Sequence, residues 1–206
     1  MSALFASALA SFLVIIDPPG CAPIFASLTA GTDVAHRRAM AFRSTLIAWF
    51  ILMFFALLGR PLLHTLGITL ASFRLAGGIM LFIIALEMVF EKRTARREER
   101  ASHVAEADDI SVFPMAIPMI AGPGSIATAM LLTSRAEGVG ETIAVLGAMS
   151  LVIIITLAAL LAAGPLMRLI GVKIEAMITR ILGVILAALA AQFVIDGIRQ
   201  SFPGLT

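Results

Sequence analysis

The residues whose types could do chemistry gather in two short clusters. The first is Asp17, Pro18, Pro19, Gly20, Cys21 and Pro23. The second is Pro114, Pro118, Gly122, Pro123, Gly124 and Ser125, with Thr128 one turn further on. Both lie in apolar surroundings. There proline removes a backbone donor and crowds the carbonyl four residues back, while glycine opens conformations that other residues avoid. Neither stretch can be a regular helix throughout. A helix that restarts at Cys21 or Ser125 presents unpaired amide donors and a partial positive charge, which suit a carboxylate or another anion. Asp17 is the acid of these clusters, and a carboxylate inside a spanning segment costs roughly 2.5 to 3.5 kcal/mol on insertion scales. Two readings of it stand side by side: a counter-charge for an ammonium, proton or cation, or a side-chain cap on the restarted helix. Asp17, Pro19, Gly20, Cys21, Gly122, Pro123, Gly124, Ser125 and Thr128 are therefore the candidate substrate- or ion-binding residues.

The elements that must position them are membrane helices. Hydrophobic residues make up 60% of the chain and charged ones 14%, with a mean hydropathy of +1.05, which is too apolar for a water-soluble domain. The apolar residues come in runs of about 20, the length that crosses roughly 30 Å of hydrocarbon as helix. Six runs are read, at Ala3 to Leu28, Ala41 to Leu63, Ala71 to Phe90, Val112 to Thr133, Thr142 to Ala163 and Ala176 to Ile198. An all-α membrane protein follows, with the lipid bilayer as its solvent. The N-terminus lacks the basic n-region of a cleaved signal peptide. Cys21, the single cysteine, is a small packing residue without an internal disulfide partner. The net charge of +2 comes from basic residues in the loops, where they serve topology rather than nucleic acid.

A shift of 104 positions lays Pro19-Gly20 on Pro123-Gly124, Leu28-Thr29 on Leu132-Thr133, Pro61-Leu62 on Pro165-Leu166 and Gly67 on Gly171. After a two-residue slip, Arg74 falls on Arg180 and Gly77 on Gly183. Each copy holds three spans, an odd number, so the second is inserted upside down relative to the first. The expected architecture is a 3+3 inverted repeat, with the first and fourth helices broken at Pro-Gly clusters that meet near the midplane. Residues 1–90 form the first repeat, 91–111 a charged cytoplasmic linker and 112–206 the second repeat, within one integral membrane domain. The loops after the first, third and fifth spans carry ten Lys and Arg against three on the other side, which places both termini outside the cytoplasm.

Arg74 and Arg180, near helix starts, are expected to reach opposite interfaces, with a gate as the alternative. Gln192 is a candidate for the interior, and Glu87 and Asp196 are expected to reach water at helix ends. Thr29 and Thr133, like Ser125 and Thr128, have the option of bonding their own helix carbonyls. An enzyme is not expected: His36, His64 and His103 fall in loops or at helix ends, Ser125 lacks an evident base, and there is no phosphate loop or second cysteine. No metal or cofactor is expected beyond a coupling ion, a proton or sodium.

The segments DPPGCAPIF and AGPGSIATAM, in a three-plus-three layout, resemble the MarC family, also called the small neutral amino acid transporter family, over essentially the whole chain. That family is in turn related by fold to LysE-type exporters. The resemblance implies a bacterial inner-membrane protein moving glycine, alanine and similar small amino acids with an ion gradient. Export of another small solute, a non-transporting assembly or regulatory role centred on the charged linker, and homo-oligomerisation stay open.

Overall fold

The computed structural model describes residues 2–92, 96, 99 and 109–202. Most of the charged linker lies outside the described residues. Within them the regular structure is helical: α1 (Ser2–Ile16), α2 (Pro18–Leu28), α3 (Val34–Thr65), α4 (Leu70–Val89), an irregular segment at Ser111–Ile120, α5 (Pro123–Arg135), α6 (Val139–Leu161) and α7 (Ala163–Ser201). Five stretches are long and apolar enough to cross a membrane, at Ala3–Leu28, Val34–Thr65, Leu70–Val89, Val139–Leu161 and Ala176–Ser201. The irregular segment and α5 make a sixth if they are taken as one span bent by 53°.

Sequence dictates where these helices start and stop. Asp33 and Thr69 accept hydrogen bonds from Ala35 N (2.9 Å) and Ser72 N (3.1 Å), satisfying first-turn amides of α3 and α4. Pro61 sits inside α3 without ending it, and Pro165 lies in the first turn of α7, where its missing N–H has no intrahelical partner to lose.

Large apolar side chains on the outer face are exposed, among them Phe42, Leu46, Phe50, Phe54 and Leu57 along one side of α3. Such a stripe is an error in water and the expected surface in lipid. Small residues let helices approach where the stripe ends. The α4–α7 pair is the most closely packed in the bundle. A Cβ on Gly78 would stand 2.9 Å from Val194 N, one on Gly197 2.8 Å from Leu75 N, and one on Gly183 2.8 Å from Met88 Cβ. Small residues at the contact replace the hydrophobic driving force that lipid does not supply.

Close packing is mostly between helices before residue 91 and helices after residue 110. The α1 and α2 pieces lie on α6, α3 lies on α5 and the irregular segment, and α4 lies on α7. Trp49 Nε1 donates to Ser150 Oγ at 2.9 Å, tying α3 to α6. The described helices share one buried core, centred on Phe12, Phe25, Phe193, Ile15 and Ile16.

Candidate functional site

The first Pro-Gly cluster produces a one-residue interruption. Asp17 alone leaves the helical conformation, at φ 58° and ψ 67°, between α1 and α2. Asp17 N donates to Leu13 O (3.1 Å) and Cys21 N to Asp17 O (3.0 Å), so the ladder is nearly continuous. Between them Pro18 and Pro19 have no N–H to satisfy, and the remaining amide, Gly20 N, donates to Asp17 Oδ1 at 3.2 Å. Every backbone donor the break frees thus has an answer within the chain, and Asp17 is a helix cap. The same Oδ1 lies 3.5 Å from Thr179 Oγ1 on α7, and both residues are buried. Cys21 is fully buried, its Sγ 3.4 Å from Ile16 O.

The second cluster behaves differently. The chain becomes irregular at Ser111, well before the Pro-Gly pair where the sequence places the break. Phe113 and Ile117 are extended at φ −126°, each preceding a cis proline in the paired motif Phe-Pro-Met-Ala, Ile-Pro-Met-Ile. A residue before proline is pushed out of the α region, and two such pairs four apart leave no room for a regular turn. Gly122 is forced by its surroundings, since a Cβ there would stand 2.4 Å from Pro118 O. It also starts α5 without a side-chain cap. Proline at the next position has no N–H, Ile126 N is satisfied by Gly122 O (3.0 Å), and Gly124 and Ser125 carry the amides that such a helix start leaves over.

The start of α5 borders a cleft. It has a volume of about 100 Å³ and is lined by Gly122, Pro123, Gly124 and Ser125 together with Pro118, Met119, Ile15, Ile84, Glu87 and Arg96. It sits on the linker side of the bundle, because Glu87 is in the last turn of α4 and Arg96 belongs to the linker. Glu87 is largely buried and is ion-paired to Arg96 at 2.6 Å. Ile15 and Ile84 press on Gly124, where an added Cβ would stand 2.7 Å from Ile84 Cδ1 and 3.1 Å from Ile15 Cδ1. The second break therefore abuts the chain two residues ahead of the first.

The structure thus brings Gly122, Pro123, Gly124 and Ser125 into one cleft and packs Asp17, Gly20 and Cys21 into the core beside it, with Pro19 half-buried. Thr29 and Thr133 do bond their own helices, at Phe25 O (2.7 Å) and Ala129 O (2.8 Å). Thr128 does not: it is fully buried on α5, one turn beyond Ser125, and its Oγ1 has no partner among the described residues. Arg180 is half exposed and ion-paired to Glu91. Arg74 departs from the expectation that it reaches an interface, being 6% exposed within the α4–α7 packing. Gln192 is exposed and donates to Asp196 Oδ1 at 2.7 Å.

Sequence reasoning set Glu87 at water and Arg96 among the topogenic loop charges, and passed over Thr179. Glu87 and Thr179 carried a usable signal, a polar side chain within an apolar run. Glu87 was assigned to water because the register of a helix end does not tell which way it faces.

A pattern described as MarC family integral membrane protein matches residues 2–202. The UPF0056 membrane protein MJ1677 of Methanocaldococcus jannaschii is 36% identical over 196 residues, covering 95% of this chain and 96% of the relative. The UPF0056 membrane protein YvbG of Bacillus subtilis is 34% identical over 199 residues, with 95% and 94% covered. The UPF0056 inner membrane protein YhgN of Escherichia coli is 34% identical over 200 residues, with 96% and 98% covered. No solved structure matches this chain.

Proposed function

Because the chain belongs to the MarC family of multi-pass integral membrane proteins, we propose that it is a secondary transporter for a small neutral amino acid such as glycine or alanine. The observation that carries this reading is the uncapped start of α5 at the floor of the linker-side cleft, with Glu87 in the same cleft. Amides of Gly124 and Ser125, at the positive end of a helix, suit a carboxylate. Glu87 suits an ammonium, and Arg96, already paired with Glu87, is the cation an ammonium would replace. A zwitterion has both groups and a small neutral side chain fits the space that Ile15 and Ile84 leave.

Supporting the inverted repeat is the pairing of helices. Exchange of the two halves maps the first span on the fifth against the second on the fourth, and the third on the sixth onto itself, and each of these pairs is in contact. Within that plan the two breaks are not equivalent. Asp17 caps its own helix, whereas its repeat mate Ala121 has no side chain to do so and leaves α5 open to a ligand. Asp17 with Thr179 is the proposed site of the coupling ion, a proton or sodium. The excess of Lys and Arg on the linker side supports a cytoplasmic linker and outer termini, in the inner membrane of a bacterial-type cell.

The test is uptake and efflux of labelled glycine and alanine in proteoliposomes under a proton or sodium gradient, with native protein and Glu87→Gln. Gradient-driven flux that Glu87→Gln cuts at least ten-fold is expected. No flux by native protein in either gradient, together with no amino-acid-dependent rise in thermal stability, would leave a non-transporting assembly role as the better reading.

A further inference from the structure

At the end of the bundle opposite the linker, three arginines from three helices approach one acid. Arg60 of α3 and Arg135 of α5 lie within electrostatic reach of Arg74 on α4, as does Asp196 on α7. The single acid is already used. Arg135 is ion-paired to Asp196 Oδ2 and stacks over the Phe193 ring, 4.5 Å from its centroid, while Gln192 Nε2 holds Oδ1 at 2.7 Å. Arg60 Nη2 donates to Ser134 O at 3.0 Å. Arg74 is left over: it enters none of the ion pairs among the described residues. Its Nε is buried with no hydrogen-bond partner among them. A buried guanidinium that must share its nearby acid with Arg135 is costly, so a further counter-charge is expected from outside the chain.

The repeat sharpens this. In the register that sets Arg74 on Arg180, Glu91 falls one residue past Asp196. Arg180 is ion-paired to Glu91, and the corresponding acid for Arg74 is Asp196, which Arg135 has taken. Arg135 matches Gly31, so one half of the molecule carries an extra cation at the position where the other half is neutral. Arg60 also lines a neighbouring cavity with Leu63, His64, Ile68, Thr69 and Leu70, at the turn between α3 and α4.

We propose that Arg74, with Arg60 and Arg135 around it, is a binding site for a small water-borne monoanion of the carboxylate class at the non-linker end of the bundle. Guanidinium groups bind carboxylates through paired, charge-assisted hydrogen bonds. One anion supplies the partner that Asp196, held by Arg135, does not give Arg74. The site is separate from the linker-side cleft, and it stands or falls by anion binding whatever the cleft transports.

The experiment follows the thermal unfolding of the full-length protein in neutral detergent and low-salt zwitterionic buffer, read by the fluorescence of Trp49, its single tryptophan. Acetate is titrated against native protein, Arg74→Gln, Arg74→Lys and Arg60→Gln. Native protein is expected to gain stability saturably with acetate. Arg74→Gln should be more stable than native without acetate, because the uncompensated charge is gone, and lose about ten-fold or more in apparent affinity. Arg74→Lys should retain part of the affinity, and Arg60→Gln should weaken it. The proposal is overturned by an acetate effect that is not saturable or is unchanged in Arg74→Gln and Arg60→Gln. It is also overturned if Arg74→Gln is less stable without acetate, or if stabilisation comes from phosphatidylglycerol vesicles and not from acetate.

Discussion

Substitution of Asp17 separates its two roles, because the cap needs an acceptor oxygen and coupling needs an acid. In Asp17→Asn the side-chain oxygen can still accept from Gly20 N, now 3.2 Å from Oδ1. Asparagine also tolerates the left-handed backbone at φ 58°. Stability should stay within about 0.5 kcal/mol of native, since asparagine and aspartate cap about equally well. Asp17→Ala leaves the buried Gly20 N–H without its acceptor, about 1 to 3 kcal/mol. It also forces a residue with no local hydrogen bond into the left-handed region, about 1 to 2 kcal/mol more. The expected loss is therefore several-fold larger than for Asn. Asp17→Gly removes the backbone strain and keeps the missing cap, so it should fall between them. Unfolding followed at Trp49, which reports the α3–α6 contact through Ser150, measures all three. Gradient-driven alanine uptake is then measured in proteoliposomes with Asp17→Asn, which should be folded and inactive. Full uptake by that variant removes Asp17 from coupling. A loss of stability equal to that of Asp17→Ala refutes the capping geometry.

The two glycines of the second break should respond to different degrees. Gly122→Ala sets a Cβ 2.4 Å from the backbone oxygen of Pro118 and should cost about 1 to 3 kcal/mol or more, visible as a drop in folded yield. Gly124→Ala meets mainly the mobile tip of Ile84 at 2.7 Å, so it should fold with a smaller cost while narrowing the cleft and reducing substrate affinity in a binding titration. Arg96→Gln frees Glu87 from its ion pair and should raise the apparent affinity for alanine, an increase that Glu87→Gln abolishes. Gly183→Leu, opposite Met88 and Val89 at about 3 Å, should pry α4 from α7 and lower the thermal midpoint far more than Ile181→Leu on the exposed face.

The relation between sequence and structure is clearest at the two breaks. Apolar run length placed the spans closely, the first at Ala3–Leu28 in both readings, because lipid imposes a length that composition must meet. Both Pro-Gly clusters were also legible, since proline removes a backbone donor whatever surrounds it. What those clusters become was not. Asp17 turns the first into a single left-handed residue, while Phe113 and Ile117, each held extended by the proline after it, spread the second over ten residues.

The charged residues divide the same way. Arg74 and Arg180 match in sequence, yet one is buried and the other half exposed and paired to Glu91. The difference lies in which neighbours claim the nearby acid, and those neighbours come from other helices. Glu87 likewise owes its place in the cleft to the packing of the second break against Ile15 and Ile84. The sequence by itself therefore determined the solvent, the spans and the positions where helices must yield, because each is a local demand of hydrophobic length or backbone hydrogen bonding. Only the tertiary structure decided which polar groups meet across helices and which cation stays without an acid. Those outcomes depend on residues far apart in sequence, as where Arg135 takes Asp196 across 61 positions.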